Sequence, residues 1–218
     1  MRRLLLFLGL FIFSAPSFLW ATPTGLNNIS TADVVPEKVL VFQAFTEIGE
    51  DNKPDYFTGF KYGPIKNLEI GIDGRIFPEA ANEETTTFQA KYRVEFSDNF
   101  SLALGISNLG DRAKTGWENP YITATYDFNF LRLHLGGTAQ RDNEGGFAGL
   151  DKTIKFFNRD FTLRGDLIET NDDHDVTLSA VFIYDLGYNF LLENWISFPT
   201  QSGKEDVVTL KLNYVINF

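Results

Sequence analysis

From Lys38 to the carboxyl end, the chain is a succession of about twelve segments of roughly eight to twelve residues that alternate in polarity. The links between them alternate too, short and then long. The short ones fall at residues 62–67, 97–99, 127–129, 158–160 and 185–189, and the longer polar ones at 49–55, 78–85, 108–120, 141–146, 171–175 and 199–206. Five tight turns and six loops connect twelve strands, and an even count returns the chain end to the side where it began. A soluble sandwich gives no reason for short and long links to take turns. The pattern predicts an all-β fold, an antiparallel up-and-down transmembrane β-barrel of about 12 strands over residues 38–218.

The faces agree. Leu68, Ile70, Ile72 and Ile76 alternate with Glu69, Gly71, Asp73 and Arg75, and Phe88, Ala90, Tyr92, Val94 and Phe96 with Gln89, Lys91, Arg93 and Glu95. Periodicity alone fits either an apolar core or a lipid-facing exterior, so the placement of aromatics decides. Tyr62, Phe96, Phe100, Tyr126, Phe128, Phe130, Phe156, Phe157, Phe161, Tyr184, Tyr188, Phe190 and Phe218 crowd the short-turn ends. Tyr56, Phe57, Phe77, Phe88, Trp117, Tyr121, Phe147, Trp195 and Phe198 lie towards the long-loop ends. Two belts suit the two interfaces of a bilayer, whereas a soluble core concentrates rings in mid-strand. Lys152 and the surroundings of Asn194 break the alternation, as a bulge or register change would.

The last nine residues, LKLNYVINF, place Leu210, Leu212, Tyr214, Ile216 and Phe218 on one strand face and Lys211, Asn213 and Asn217 on the other. This resembles the closing strand of bacterial outer-membrane β-barrel proteins. The resemblance implies that Tyr214, Ile216 and Phe218 form the signal read by the barrel-insertion machinery. The closing strand must then pair with the first, residues 38–48, because an open edge in lipid strands backbone polar groups. Residues 25–36, Gly-Leu-Asn-Asn-Ile-x-Thr-Ala-Asp-Val-x-Pro, resemble the start of mature chains in a group of small bacterial barrels, some linked to exopolysaccharide loci.

Residues 1–21 have the build of a secretory signal peptide: Arg2 and Arg3, an apolar run over 4–13 broken only by Gly9, and small residues up to Ala21, where cleavage is expected. Residues 22–37, rich in Pro, Gly and Asn, read as an irregular periplasmic lead-in, long enough to fold into the lumen and narrow it. Past residue 21 no apolar run approaches the ~20 residues of a transmembrane helix. The mean hydropathy of -0.12 is as compatible with a barrel as with a soluble protein. With no Cys there is neither a lipid attachment site nor a disulfide. Two of the 19 Lys and Arg fall in the leader, leaving 17 against 29 Asp and Glu. That balance argues against a nucleic-acid partner.

With the apolar faces in lipid, Glu69, Asp73, Arg75, Lys91, Arg93, Glu95, Arg132, His134, Arg164, Asp166 and Lys211 point into the barrel as candidate pore-lining residues. Asp73 is expected level with Lys91 and Arg93 in a salt-bridged lumen, either filling a narrow interior or selecting small solutes. His134, His174 and the serines Ser101, Ser107, Ser179 and Ser197 are what a lipid-modifying enzyme would draw on, but no Gly-x-Ser-x-Gly motif is present and no catalytic residue is assigned. The acidic runs at Asp172, Asp173 and Asp175 and at Asp142 and Glu144 lack the spacing of a calcium loop, so neither a metal nor a cofactor is expected. Three functions stay open: a narrow porin-like channel for small solutes, a structural or surface-interaction barrel, and an enzyme. The expected partners are outer-membrane lipid, the insertion machinery and small solutes.

Overall fold

A computed structural model describes residues 25–26, 28–49, 53–76, 85–141, 143–170, 175–200 and 204–218. The expectations for the signal peptide, Phe77, Asp142, Asp172, Asp173 and His174 lie outside the described residues. Twelve strands follow in order: β1 Val39–Ile48, β2 Pro54–Ile65, β3 Leu68–Ile76, β4 Thr86–Ser97, β5 Phe100–Gly110, β6 Asn119–Asp127, β7 Arg132–Gln140, β8 Asn143–Phe156, β9 Arg159–Thr170, β10 Asp175–Gly187, β11 Phe190–Pro199 and β12 Val207–Asn217. Each pairs antiparallel with its neighbours in sequence, and β1 pairs β12, so the sheet closes into a barrel. The closing seam runs in register from Val39 opposite Asn217 to Ile48 opposite Val208, and Phe218 N–H donates to the Lys38 carbonyl. Among the described residues no helix is long and apolar enough to cross a membrane, which says nothing against crossing by strands.

The inner turns are tight because their residues accept left-handed backbone. Asn67, Asn129, Asn158 and Asn189 all have positive φ, and in two turns the residue before Asn joins them, Phe157 at φ 48 and Tyr188 at φ 54. Two successive positive φ values twist a two-residue hairpin in the sense of its strands. The rings of Phe157 and Tyr188 project outward, fully exposed, at the barrel end. One expected long link is not long: β7 runs to Gln140 and β8 starts at Asn143, so most of residues 141–146 are strand. Between β5 and β6 the loop holds one helical turn, α1 Arg112–Thr115, capped by the Asp111 carboxylate.

Outside, Ile70, Phe88, Leu104, Ile122, Leu135, Leu150, Leu163, Leu178 and Leu210 stand exposed around the wall. A continuous apolar exterior of this kind is stable only in lipid. At the short-turn end a chain of rings runs Phe96, Phe100, Tyr126, Phe128, Phe130, with successive centroids 5.5, 6.4, 4.6 and 6.0 Å apart. The other belt is thinner than the sequence suggests. Tyr56, Phe88 and Phe198 face out, but Tyr121, Phe147 and Trp195 are buried inside and Phe57 lines an interior cavity. The apolar residues without a clean period around Asn194 are explained in the same way. Val181, Ile183, Leu191, Trp195 and Val215 form an interior cluster with Val35, so β10 and β11 are apolar on both faces. Lys152 lies at a regular position of β8 with its side chain exposed, between the outward Leu150 and Ile154, and no bulge interrupts the β8 pairings there.

Candidate functional site: a plugged lumen

The lumen of a twelve-stranded barrel is wide enough to admit a chain, and the described part of residues 25–37 enters it. Val35 and Ala32 are fully buried, and Thr31, Ile29 and Leu26 nearly so. Backbone in such a place needs partners from the wall, and the inward polar side chains supply them. Val35 N–H donates to Glu69 at 2.9 Å, Ala32 N–H to Thr125 Oγ1 at 3.0 Å, and Asn28 N–H to Asp166 at 3.3 Å. In the other direction Lys91 donates to the Thr31 carbonyl at 3.2 Å, Thr123 to that of Ser30 at 3.0 Å, and Arg164 to that of Gly25 at 2.8 Å. Tyr121 hydrogen-bonds with Ser30. The segment is thus held by donors and acceptors from β3 to β9.

One ion-pair centre anchors the plug. Arg132 Nη1 lies 2.9–3.0 Å from both carboxylate oxygens of Asp33, while its Nε and Nη2 grip Asp151 at 3.0 and 2.7 Å. A planar guanidinium serves two carboxylates in this way, and a point-charge ammonium could not. Burial opposes ionisation of Asp33, but the Arg132 guanidinium and the Lys91 ammonium outweigh it and hold the carboxyl below its usual range. Beside this centre His134, fully buried, lies 3.2 Å from Asp151 through Nε2 and 2.8 Å from Thr125 Oγ1 through Nδ1. With Nε2–H donating to Asp151, Nδ1 can accept from the Thr125 hydroxyl while that hydroxyl accepts from Ala32 N–H.

Two glycines let the plug approach the wall. A Cβ on Gly63 would strike the carbonyl oxygens of Val35 and Pro36, and one on Gly149 would strike Leu26 and Ile29. Along the closing seam the interior passes from the apolar pair Val41 and Val215 to a polar, paired stretch: Gln43 donates to Asn213 at 2.8 Å, Asn213 to Glu193 at 2.6 Å, and Lys211 lies 3.7 Å from Glu193.

The eleven charged residues picked out by alternation occupy inward positions. Glu69, Lys91, Arg132, His134, Arg164 and Asp166 gather at the plug, whereas Asp73, Arg75 and Lys211 line the space beyond it. Arg93 and Glu95 sit at the short-turn end, paired with each other, and Glu95 also reaches Lys66 at 3.5 Å. The expected level of Asp73 is corrected by the register: Glu69 is opposite Lys91, and Asp73 is opposite Thr87 and accepts from Gln89 at 2.8 Å. Each β3 residue meets β4 nearer the outer loop than expected, with Gly74 opposite Thr86, the first residue of β4. Alternation missed Asp33, which lies in a segment with no period, and Asp151, whose strand β8 reads irregularly because Lys152 follows it. Among the described residues no group of His, Asp and Glu could hold a metal ion.

Above the plug the lumen opens into a cavity of about 670 Å³ towards the long-loop end. Gly25, Leu26, Asn28, Ile29 and Ser30 form its floor, and strands β1 to β5 and β10 to β12 its walls. Between β5 and β6, the Trp117 ring has the guanidinium groups of Arg112 and Arg141 over it, each 4.5 Å from its ring centre. Arg112 also hydrogen-bonds Glu118 at 2.8 Å, which lowers the pKa of that carboxyl.

A closed twelve-stranded barrel with an apolar exterior and a polar, partly filled lumen defines a porin-like membrane β-barrel. Solved structures of that class share the fold. The chain is similar to the KdgM porin at 13% identity and a TM-score of 0.60, over 80% of this chain and 98% of the porin. A KdgM porin in complex with disordered oligogalacturonate matches at 14% identity and a TM-score of 0.60, over 81% of this chain and 98% of that one. The NanC porin matches at 10% identity and a TM-score of 0.51, over 80% and 98%. No protein-family model matches the sequence, and no curated protein matches it.

Proposed function

We propose that the protein is a bacterial outer-membrane channel for small solutes, exported with its signal peptide removed, whose own amino-terminal segment closes the periplasmic half of the lumen. The observation that carries this is the plug itself. It is threaded through the short-turn half and fixed there by polar side chains, while a solute-sized cavity stays open on the other side. The tight turns and the carboxyl-terminal end lie in the periplasm, and the longer loops face outward.

The interior charges are mixed and mutually paired, unlike the single-sign rings that select ions. The Thr125, His134 and Asp151 constellation is structural in this proposal, because the plug backbone covers it and takes up the Thr125 hydroxyl. A barrel that transports nothing is the second candidate, favoured by the number of hydrogen bonds that tie the plug to the wall. Planar-bilayer conductance of the mature chain against a deletion of residues 24–36 separates the two. Channel events that appear or enlarge on deletion support a plugged channel, and silence from both proteins leaves the structural barrel.

A further inference from the structure

The cavity above the plug has a composition that neither fold nor closure requires. On one side, Phe45 and Phe57 are stacked, with centroids 4.9 Å apart and planes within 11°, on the inward faces of β1 and β2. Trp195 of β11 lines the same space, with Lys211 Nζ 5.4 Å from its ring centre. Next to the two rings, on β3 and β4, stand hydrogen-bonding groups: Arg75, the cross-strand partner of Phe57, then Thr87, and Gln89 and Asp73 joined at 2.8 Å. Flat apolar faces flanked by a few placed polar groups, in a concavity within the ~300–1,000 Å³ range of small-molecule sites, make up a ligand pocket.

Charge narrows the class of ligand. The cavity's cations are Lys61, Arg75 and Lys211, and its anions are Glu47 and Asp73. Arg75 is paired with Asp55, and Lys211 is within ion-pair distance of Glu193. Three cations therefore face four carboxylates, leaving no positive excess for a polyanion and no strong negative field for a cation. A solute that offers both C–H faces to aromatic rings and hydroxyls to amides and carboxylates, without net charge, fits these walls.

Resting on the channel proposal, we infer that this cavity is a vestibule that binds an uncharged polyhydroxylated solute, a mono- or disaccharide, stacked on Phe45, Phe57 and Trp195 and hydrogen-bonded by the Asp73 and Gln89 side. The plug forms its floor, so the solute is held before the channel opens.

The test is calorimetric titration of the full mature protein in detergent with glucose, maltose and cellobiose, and with digalacturonate as the acidic counterpart. At least one neutral sugar should bind saturably, and Phe57→Leu and Phe45→Leu should each weaken it by about tenfold through loss of a ring face. Phe60→Leu, on the outer face, should leave it unchanged, with heat-modifiable gel mobility confirming that every variant is folded. Binding of digalacturonate alone, or of none of the four, overturns the inference, as does equal affinity in all three variants. Conductance of the same preparations keeps the two proposals apart. A channel that opens on deletion of residues 24–36 without sugar binding refutes the vestibule only, and sugar binding without any conductance refutes the channel only.

Discussion

The two halves of the barrel are built from the same alternating strands yet are filled differently. In the short-turn half the lumen is occupied by residues 28–37, the wall side chains are spent on that segment, and rings form a near-continuous outer girdle. In the long-loop half the lumen is open, several aromatics turn inward, and the girdle thins. What the contrast teaches is that an interior position takes its residue type from what occupies the lumen at that level. Polar residues face plug backbone, Val181, Ile183 and Leu191 join Val35, Phe147 packs on Leu26 and Ile29, and Phe45 and Phe57 line open space.

The largest effect expected is on the girdled half. Phe218 closes the outward set of β12 at the rim, so its deletion should abolish most of the inserted barrel, whereas Phe157→Ala, which removes an exposed ring at an internal turn, should cost little. Outer-membrane yield of the two variants in one strain measures this, and equal yields would count against the insertion signal.

Next is the anchor of the plug. Arg132→Met leaves Asp33 and Asp151 facing each other without their shared cation and should destabilise the barrel by about 3 kcal/mol. Urea unfolding in lipid vesicles reads it, and adding Asp33→Asn should recover part of the loss. No recovery would mean that the two carboxylates do not share the guanidinium.

A steric route to the same end is Gly63→Val. Its side chain would meet the backbone of Val35 and Pro36 and should displace the plug at a cost of about 1–3 kcal/mol, exposing residues 28–36 to protease. Gly146→Val, where a Cβ meets nothing within 4 Å, is the control. Equal protection in both variants would place the plug elsewhere.

The smallest effect is acid release. Because the folded protein lowers the pKa of Asp33, its contribution is present above the ordinary carboxylate range and is lost as pH falls through the folded value, below about pH 4. Protease access to the plug should therefore rise between pH 5 and pH 3 in the wild type. Asp33→Asn should flatten that rise, and an unchanged profile would assign the acid response to another group.

The barrel was legible because its rules are local. Alternation with a period of two sorts each strand into a lipid face and a lumen face, and the even count of links with a closing strand ending in Phe218 specifies an up-and-down closed sheet. Glu69, Lys91, His134, Arg164 and Asp166 fell inside for the same reason. Local pattern could not say what those residues meet. Residues 25–37 have no period, and their place depends on contacts such as Arg132 with Asp33, 99 residues apart in sequence. Nor could it separate an interfacial ring from an interior one, since Phe57 and Tyr56 are adjacent in the chain and differ only in the wall face from which they project. The strand pattern is written in each segment's own chemistry, whereas the filling of the lumen is decided only once the twelve strands have closed around it.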